Sequence, residues 1–128
     1  IFVPWSVNCL ICRTPETIDH MFLHCTDSVF HWDILQRTVK TLLSISPYGI
    51  QFLPVESGDN IPYDIFMLPS LHSIWRNRMA FRHADETVLP VREYFIESMS
   101  YIRDVLRAQN EPPEWLSVMD DIVQLKRF

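Results

Sequence analysis

Cys9-Leu10-Ile11-Cys12-Arg13-Thr14-Pro15-Glu16-Thr17-Ile18-Asp19-His20-Met21-Phe22-Leu23-His24-Cys25 holds every cysteine of the chain. Two residues separate Cys9 from Cys12, seven separate Cys12 from His20, and four separate His20 from Cys25. Three thiolates and an imidazole are soft or borderline donors. Placed tetrahedrally, they close a structural zinc (Zn2+) site with no open position for chemistry. A two-residue spacing lets one tight turn aim both sulfurs at a single point, with backbone N–H groups left to bond the thiolates. Three cysteines make an odd set for a disulfide framework, so metal binding in a reducing compartment accounts for them better than oxidation does.

Thr14-Pro15-Glu16-Thr17 reads as a helix start, with Thr14 as N-cap, Pro15 in the first turn and Glu16 at the positive end. His20 then projects about one turn in. On an ideal helix, residues four apart share a face and residues five apart are turned by about 140°. His20 and Cys25 are five apart, so both reach one ion only if the helix ends or distorts before Cys25. Thr26-Asp27-Ser28, a good N-cap cluster for the next helix, fits such an ending. His24 is the alternative fourth ligand: it lies on the His20 face and would give Cys2His2 instead of Cys3His. Glu16 and Asp19 are read as capping groups and as partners of the ligands.

Outward from this knuckle the chain reads as helical packing. It has 128 residues, 48% of them hydrophobic, with four Trp and eight Phe, which excludes disorder and allows a sizeable core. Two Gly and nine Pro suit helices parted by proline-marked breaks rather than a turn-rich β fold. The expected fold class is all-α: about five helices in one domain over 1–128, with the zinc knuckle at 9–25 and a helical region at 28–128. Phe2, Val3 and Trp5 are expected in an extended lead-in against the core. No apolar run approaches a membrane span, and Ile1-Phe2-Val3-Pro4-Trp5 lacks the form of a signal peptide. The absence of an initiator Met suggests a piece of something longer.

A helix is expected over about 28–44, with Val29, Trp32, Leu35, Val39, Leu42 and Leu43 as its apolar stripe. Ser46-Pro47-Tyr48-Gly49 should end it, with a possible extended piece at 50–53 and turn chemistry over 56–60. Asn60-Ile61-Pro62 can start a helix that Pro69 kinks or ends, with Ser70 capping a continuation through Leu71, Ile74, Trp75, Met79 and Phe81. Asp85-Glu86-Thr87 should cap the longest helix, with Pro90 early in it and Val91, Phe95, Met99, Ile102, Val105 and Leu106 buried. Asn110-Glu111-Pro112-Pro113 breaks the chain. The last helix is expected over about 114–126, with Trp115, Val118, Met119 and Ile122 inward, although Trp5 and Trp115 also lie nearest to chain breaks and are the Trp residues expected to be the more exposed to solvent.

A formal charge of −5 argues against a nucleic-acid binder held by bulk charge. The stretch from 70 to 84 nevertheless carries Arg76, Arg78 and Arg82 with His72 and His83 and no acid. Arg78 and Arg82 are four apart and adjacent, while Arg76 lies well round the helix. They read either as a solvated face or as contacts to an RNA or DNA backbone. Asp120-Asp121 and Glu114 read as a solvated acidic face. No Gly-rich phosphate loop and no nucleophile–base spacing occurs, so a non-catalytic chain is expected.

Cys9, Cys12, His20 and Cys25 at this spacing, the Glu16-Thr17 pair before the His, Phe22 between His20 and Cys25, and Trp32 soon after resemble one known segment. It is the zinc-binding segment near the C-terminus of reverse transcriptases from non-LTR (LINE-type) retrotransposons. Ile74-Trp75-Arg76-Asn77-Arg78 resembles a Trp- and Arg-rich helix that follows in the same family. The likeness is close over 9–35 and patchy near 70–84. It implies that Cys9, Cys12, His20 and Cys25 are the ligands, in an intracellular module, nuclear or cytoplasmic, that follows a polymerase domain in a larger polyprotein. The parent would be an RNA-directed DNA polymerase. No Tyr/Phe-x-Asp-Asp motif occurs here, so this piece should not polymerise; it would place template RNA or target DNA. The alternative is a helical protein-interaction or self-association module stabilised by structural zinc.

Overall fold

The computed structural model describes residues 8, 9, 11–39, 45–52, 63–83 and 87–124. Among them the fold is all-α. A π-helical turn, His20–His24, precedes α1 (Thr26–Val39), α2 (Pro47–Phe52), α3 (Tyr63–Arg82), α4 (Val91–Arg107) and α5 (Leu116–Gln124). Among the described residues the only pairing of extended backbone is an isolated antiparallel bridge between Asn8 and Pro15. The expectations for Phe2, Val3, Trp5, Leu42, Leu43, residues 56–62, Asp85-Glu86 and the end of the last helix near 126 lie outside the described residues.

The core is built from one face of each long helix. Trp32, Leu35 and Val39 come from α1; Phe66, Met67 and Ile74 from α3; Val91, Phe95 and Met99 from α4; Met119 and Ile122 from α5. Each large side chain taken wholly out of water contributes on the order of 2 kcal/mol, before entropy is counted. α4 packs against both α3 and α5.

Several expected boundaries and faces move. On α1, Val29 is exposed, and Ser28 and His31 take its place on the buried face beside Trp32. The expected stop at Ser46-Pro47 is a start. Ser46 Oγ accepts the Gly49 N–H at 3.1 Å and Ser46 O accepts the Ile50 N–H at 3.0 Å, while Pro47 occupies the first helical position, where its missing donor costs nothing. The extended piece expected from Ile50 is therefore part of α2. Among the described residues the longest helix is α3, with 20 residues against 17 in α4.

Pro69 does not end α3. The helix runs through it, with the Ser70 hydroxyl donating to Phe66 O at 2.7 Å and the Ser73 hydroxyl to Pro69 O at 2.6 Å. Its buried face is half polar: Phe66, Met67, Ser70, Ser73, Ile74, Asn77 and Arg78 follow helical spacing. Trp75 and Phe81, expected inside, are exposed, and His72 stacks on Trp75 with centroids 5.9 Å apart. α4 starts at Val91, directly after Pro90; Ile102 and Leu106 are half-buried and Val105 is exposed. Trp115 is half-buried edge-on against Phe66.

Candidate metal centre

The knuckle begins as a tight turn. Cys9 N–H donates to Thr14 O at 2.7 Å and Arg13 N–H donates to Cys9 O at 2.8 Å. Arg13 takes the left-handed backbone region, φ 60°, which costs a non-glycine residue roughly 1–2 kcal/mol and which the turn requires. Cys12 N–H faces Cys9 Sγ at 3.4 Å, the backbone-to-sulfur contact that the two-residue spacing calls for. Because Thr14 O is already engaged and Pro15 is bridged to Asn8, the helical turn cannot begin at Thr14. It begins three residues later than expected, with Thr17 Oγ1 accepting the His20 N–H at 3.0 Å.

The five-residue step from His20 to Cys25 is met by distortion. Cys25 N–H donates to His20 O at 2.7 Å, the i to i+5 bond of a π-turn, and Cys25 then turns extended at ψ 141°. Its own carbonyl accepts the Val29 N–H at 2.9 Å, so Cys25 closes the π-turn and opens α1. His24 faces outward, exposed, and Cys25 is buried.

These devices bring Cys9, Cys12, His20 and Cys25 together. One ligand atom from each lies within 4.8 Å of all the others, and the group could hold a metal ion. Cys25 Sγ is 3.8 Å from Cys9 Sγ and 3.8 Å from Cys12 Sγ. Metal–sulfur bonds of about 2.3 Å at tetrahedral angles put sulfurs about 3.8 Å apart, whereas a disulfide needs about 2.05 Å. All three cysteines are free. His20 Nε2 is buried with no hydrogen-bond partner among the described residues, as befits a nitrogen that ligates. The residues present fit a four-coordinate ion with no position left over.

Behind the ligands stands a set of charges whose placement the sequence did not reveal. Arg78 Nη2 donates to Cys25 Sγ at 3.0 Å. Arg78 Nε and Arg82 Nη2 each approach Glu16 Oε2 at 3.0 Å. The Arg78, Arg82 and Glu16 side chains are 2%, 4% and 8% exposed, so neither arginine presents a solvated face or reaches a nucleic-acid backbone. This corrects the phosphate-facing expectation for Arg78 and Arg82. Arg76, turned by about 200° from Arg78, is half-exposed. It lies over the Tyr94 ring at 4.4 Å and pairs with Glu97 at 3.8 Å. Glu16 serves these arginines and caps no helix; Asp19 is exposed. The one available sequence signal was the i, i+4 spacing of Arg78 and Arg82, which places them side by side without saying which way they face.

Burial raises the Cys25 thiol, and the Arg78 hydrogen bond works against that shift. Backbone and side-chain hydrogen bonds from Thr26 lower the Cys12 thiol. Burial would lower Arg78, but its hydrogen bond to Cys25 and the charges of Cys25, Glu16 and Cys9 outweigh burial and hold it above its ordinary value.

Asp120 pairs with Arg103 and Arg107, and Asp121 is exposed, an arrangement of surface ion pairs. Among the described residues no helix is long and apolar enough to cross a membrane. No family model, curated protein or solved structure matches the chain.

Proposed function

We propose that the chain is a non-catalytic zinc-binding module whose ion is structural. One observation carries this reading: Cys9, Cys12, His20 and Cys25 converge with sulfurs 3.8 Å apart and supply a complete tetrahedral donor set. Two or more thiolates with imidazole favour zinc among the common divalent ions. The spacing and its flanking residues support a place in the reverse transcriptase polyprotein of a LINE-type retrotransposon, beside an RNA-directed DNA polymerase. There the module would help position template RNA or target DNA. With Arg78 and Arg82 buried, any phosphate contact on α3 falls to Arg76.

Elemental analysis of protein purified without chelator tests the first part; one equivalent of zinc is expected, and less than half an equivalent overturns it. Fluorescence anisotropy with short RNA and DNA at two salt concentrations tests the second. Salt-dependent binding is expected, with a log–log slope reduced by about 1 in Arg76→Gln; the absence of salt-dependent binding removes the nucleic-acid role.

A second reading has its own observation. Leu68, His72, Tyr101 and Ile102 line an open groove of about 650 Å³ between α3 and α4, with Leu68 and Tyr101 exposed. An apolar groove of this kind suits a protein-interaction or self-association module. Sedimentation of wild type and Tyr101→Lys separates the readings: a concentration-dependent dimer abolished by the substitution supports this one.

A further inference from the structure

The three sulfurs of the knuckle differ in access. Cys9 is 1% exposed and Cys25 0%, whereas Cys12 is half-buried at the surface. The two buried sulfurs face inward donors: Cys12 N–H approaches Cys9 Sγ at 3.4 Å, and the buried Arg78 donates to Cys25 Sγ at 3.0 Å. Cys12 Sγ instead lies 3.5 Å from Oγ1 of Thr26, an exposed residue. Thr26 also lines an open groove of about 430 Å³ with His24, Val29, Phe30 and Asp33. Solvent and small solutes therefore reach the edge of the centre on the Cys12 side. Arg13 and Thr14, which follow Cys12, are exposed as well and do not cover it.

A reachable sulfur becomes a reversible oxidation site when a second sulfur stands ready to resolve it. Cys25 Sγ is 3.8 Å from Cys12 Sγ, and a disulfide needs the pair to close by about 1.8 Å. Cys25 is sealed from solvent, so it meets an oxidised Cys12 before it meets an oxidant. We propose that Cys12 is a peroxide-reactive site, resolved by Cys25, through which oxidation opens the metal centre. The Cys12 thiolate attacks one oxygen of hydrogen peroxide; an S–O bond forms, the O–O bond breaks and hydroxide leaves. The Cys25 thiolate then attacks the Cys12 sulfur; an S–S bond forms, the S–O bond breaks and a second hydroxide leaves. Two thiolates have lost two electrons and the peroxide has gained them. Holding the two sulfurs side by side makes the second step intramolecular, which favours it over attack by a second peroxide. Two of the four donors are then gone, and Cys9 and His20 alone do not make a closed tetrahedral set. The inference rests on the metal-binding reading above and adds to it the sulfur at which the site reacts and the chemical class of the reactant.

The test uses the full chain loaded with one equivalent of Zn2+. One equivalent of hydrogen peroxide is added, free zinc is followed with a chromophoric chelator, and the disulfide is mapped by mass spectrometry after alkylation of the remaining thiol. In parallel, the loaded chain is treated with less than one equivalent of N-ethylmaleimide and the labelled cysteine is identified. Cys12 should be labelled at least tenfold ahead of Cys9 and Cys25. Peroxide should release zinc in step with a Cys12–Cys25 link, leave Cys9 free, and be reversed by a dithiol. Labelling of Cys9 or Cys25 as early as Cys12, a disulfide other than Cys12–Cys25, or zinc still bound after that disulfide has formed overturns the proposal and leaves the metal site standing. A chain that takes up no zinc refutes the metal-binding reading and this proposal with it.

Discussion

His31 should give this protein an acid sensitivity that one substitution removes. The imidazole is 3% exposed on α1, edge-on to Trp32 and to Phe95 at 4.9 Å between centroids. Its Nε2 lies 2.9 Å from Ser70 Oγ. The Ser70 proton is committed to Phe66 O, so Ser70 accepts and His31 Nε2 carries the hydrogen of a neutral ring. Asp27 and Arg92 line the small cavity beside it, one charge of each sign. Burial depresses the His31 pKa from 6.5 to about 3. The unfolded chain therefore binds a proton that the folded one refuses. The stability at stake is intact above about pH 6.5 and declines as pH falls towards 3. The full shift corresponds to about 5 kcal/mol, of which about 2 kcal/mol is lost between about pH 8 and pH 5. Urea denaturation of wild type and His31→Phe across that range measures it. Any release of a metal on thiol protonation would affect both proteins alike, so the difference between them isolates His31. Wild type should lose about 2 kcal/mol more than the variant. A difference that stays constant within about 0.5 kcal/mol across the range would refute the buried neutral imidazole.

Three further outcomes are expected. Glu16→Ala strips the shared carboxylate from two buried guanidiniums and should cost about 3–5 kcal/mol, read from urea midpoints; Glu16→Ala combined with Arg82→Ala should cost clearly less than the sum of the two. Chelation at neutral pH should abolish amide-exchange protection at 9–25 before it reaches α4 and α5, because the ligands lie outside the apolar core; simultaneous loss everywhere counts against this division. Ser46→Ala removes the cap of α2 and should cost about 1 kcal/mol in the same urea assay, while Ser46→Asp should be close to neutral.

What the sequence disclosed was mainly local. The Cys-x2-Cys spacing named its turn, and the five-residue step to Cys25 demanded the distortion that the π-turn supplies. Trp32, Leu35, Phe95, Met99, Met119 and Ile122 were legible because each sits on an apolar stripe with helical period. Ser46-Pro47 was visible but ambiguous, since the pair that stops one helix also starts another. Pro69 was misleading for a tertiary reason. Its missing donor is tolerated because Phe66 and Met67 before it and Ile74 after it are held in one core, and Ser70 and Ser73 bond the neighbouring carbonyls. Arg78 and Arg82 were hidden because their partners are remote: Cys25 lies 53 residues before Arg78, and Glu16 lies 66 before Arg82. No helical period distinguishes a basic face turned to water from one turned to a thiolate.

That remoteness bears on how the knuckle and the core depend on each other. α3 carries Phe66, Met67 and Ile74 into the apolar core and Arg78 and Arg82 into the metal centre. Its 20 residues span about 30 Å as one helix, so the two sites share a stiff connector. Core burial fixes the axis of α3 and thereby the approach of Arg78 to Cys25; an ion held by the four ligands would, through Cys25, fix the far end. A break at Pro69 would part Phe66 and Met67 from Ile74, Arg78 and Arg82, and the hydroxyls of Ser70 and Ser73 act at that weak point. Ser70 is further tied to His31 on α1, and α1 opens at Cys25. The path from the metal ligand along α1 to His31, across to Ser70 and along α3 to Arg78 therefore closes on itself at the Cys25 sulfur. A closed path of two helices and two hydrogen bonds restricts the position of Cys25 more than either helix does alone, which is the preorganisation a tetrahedral site needs.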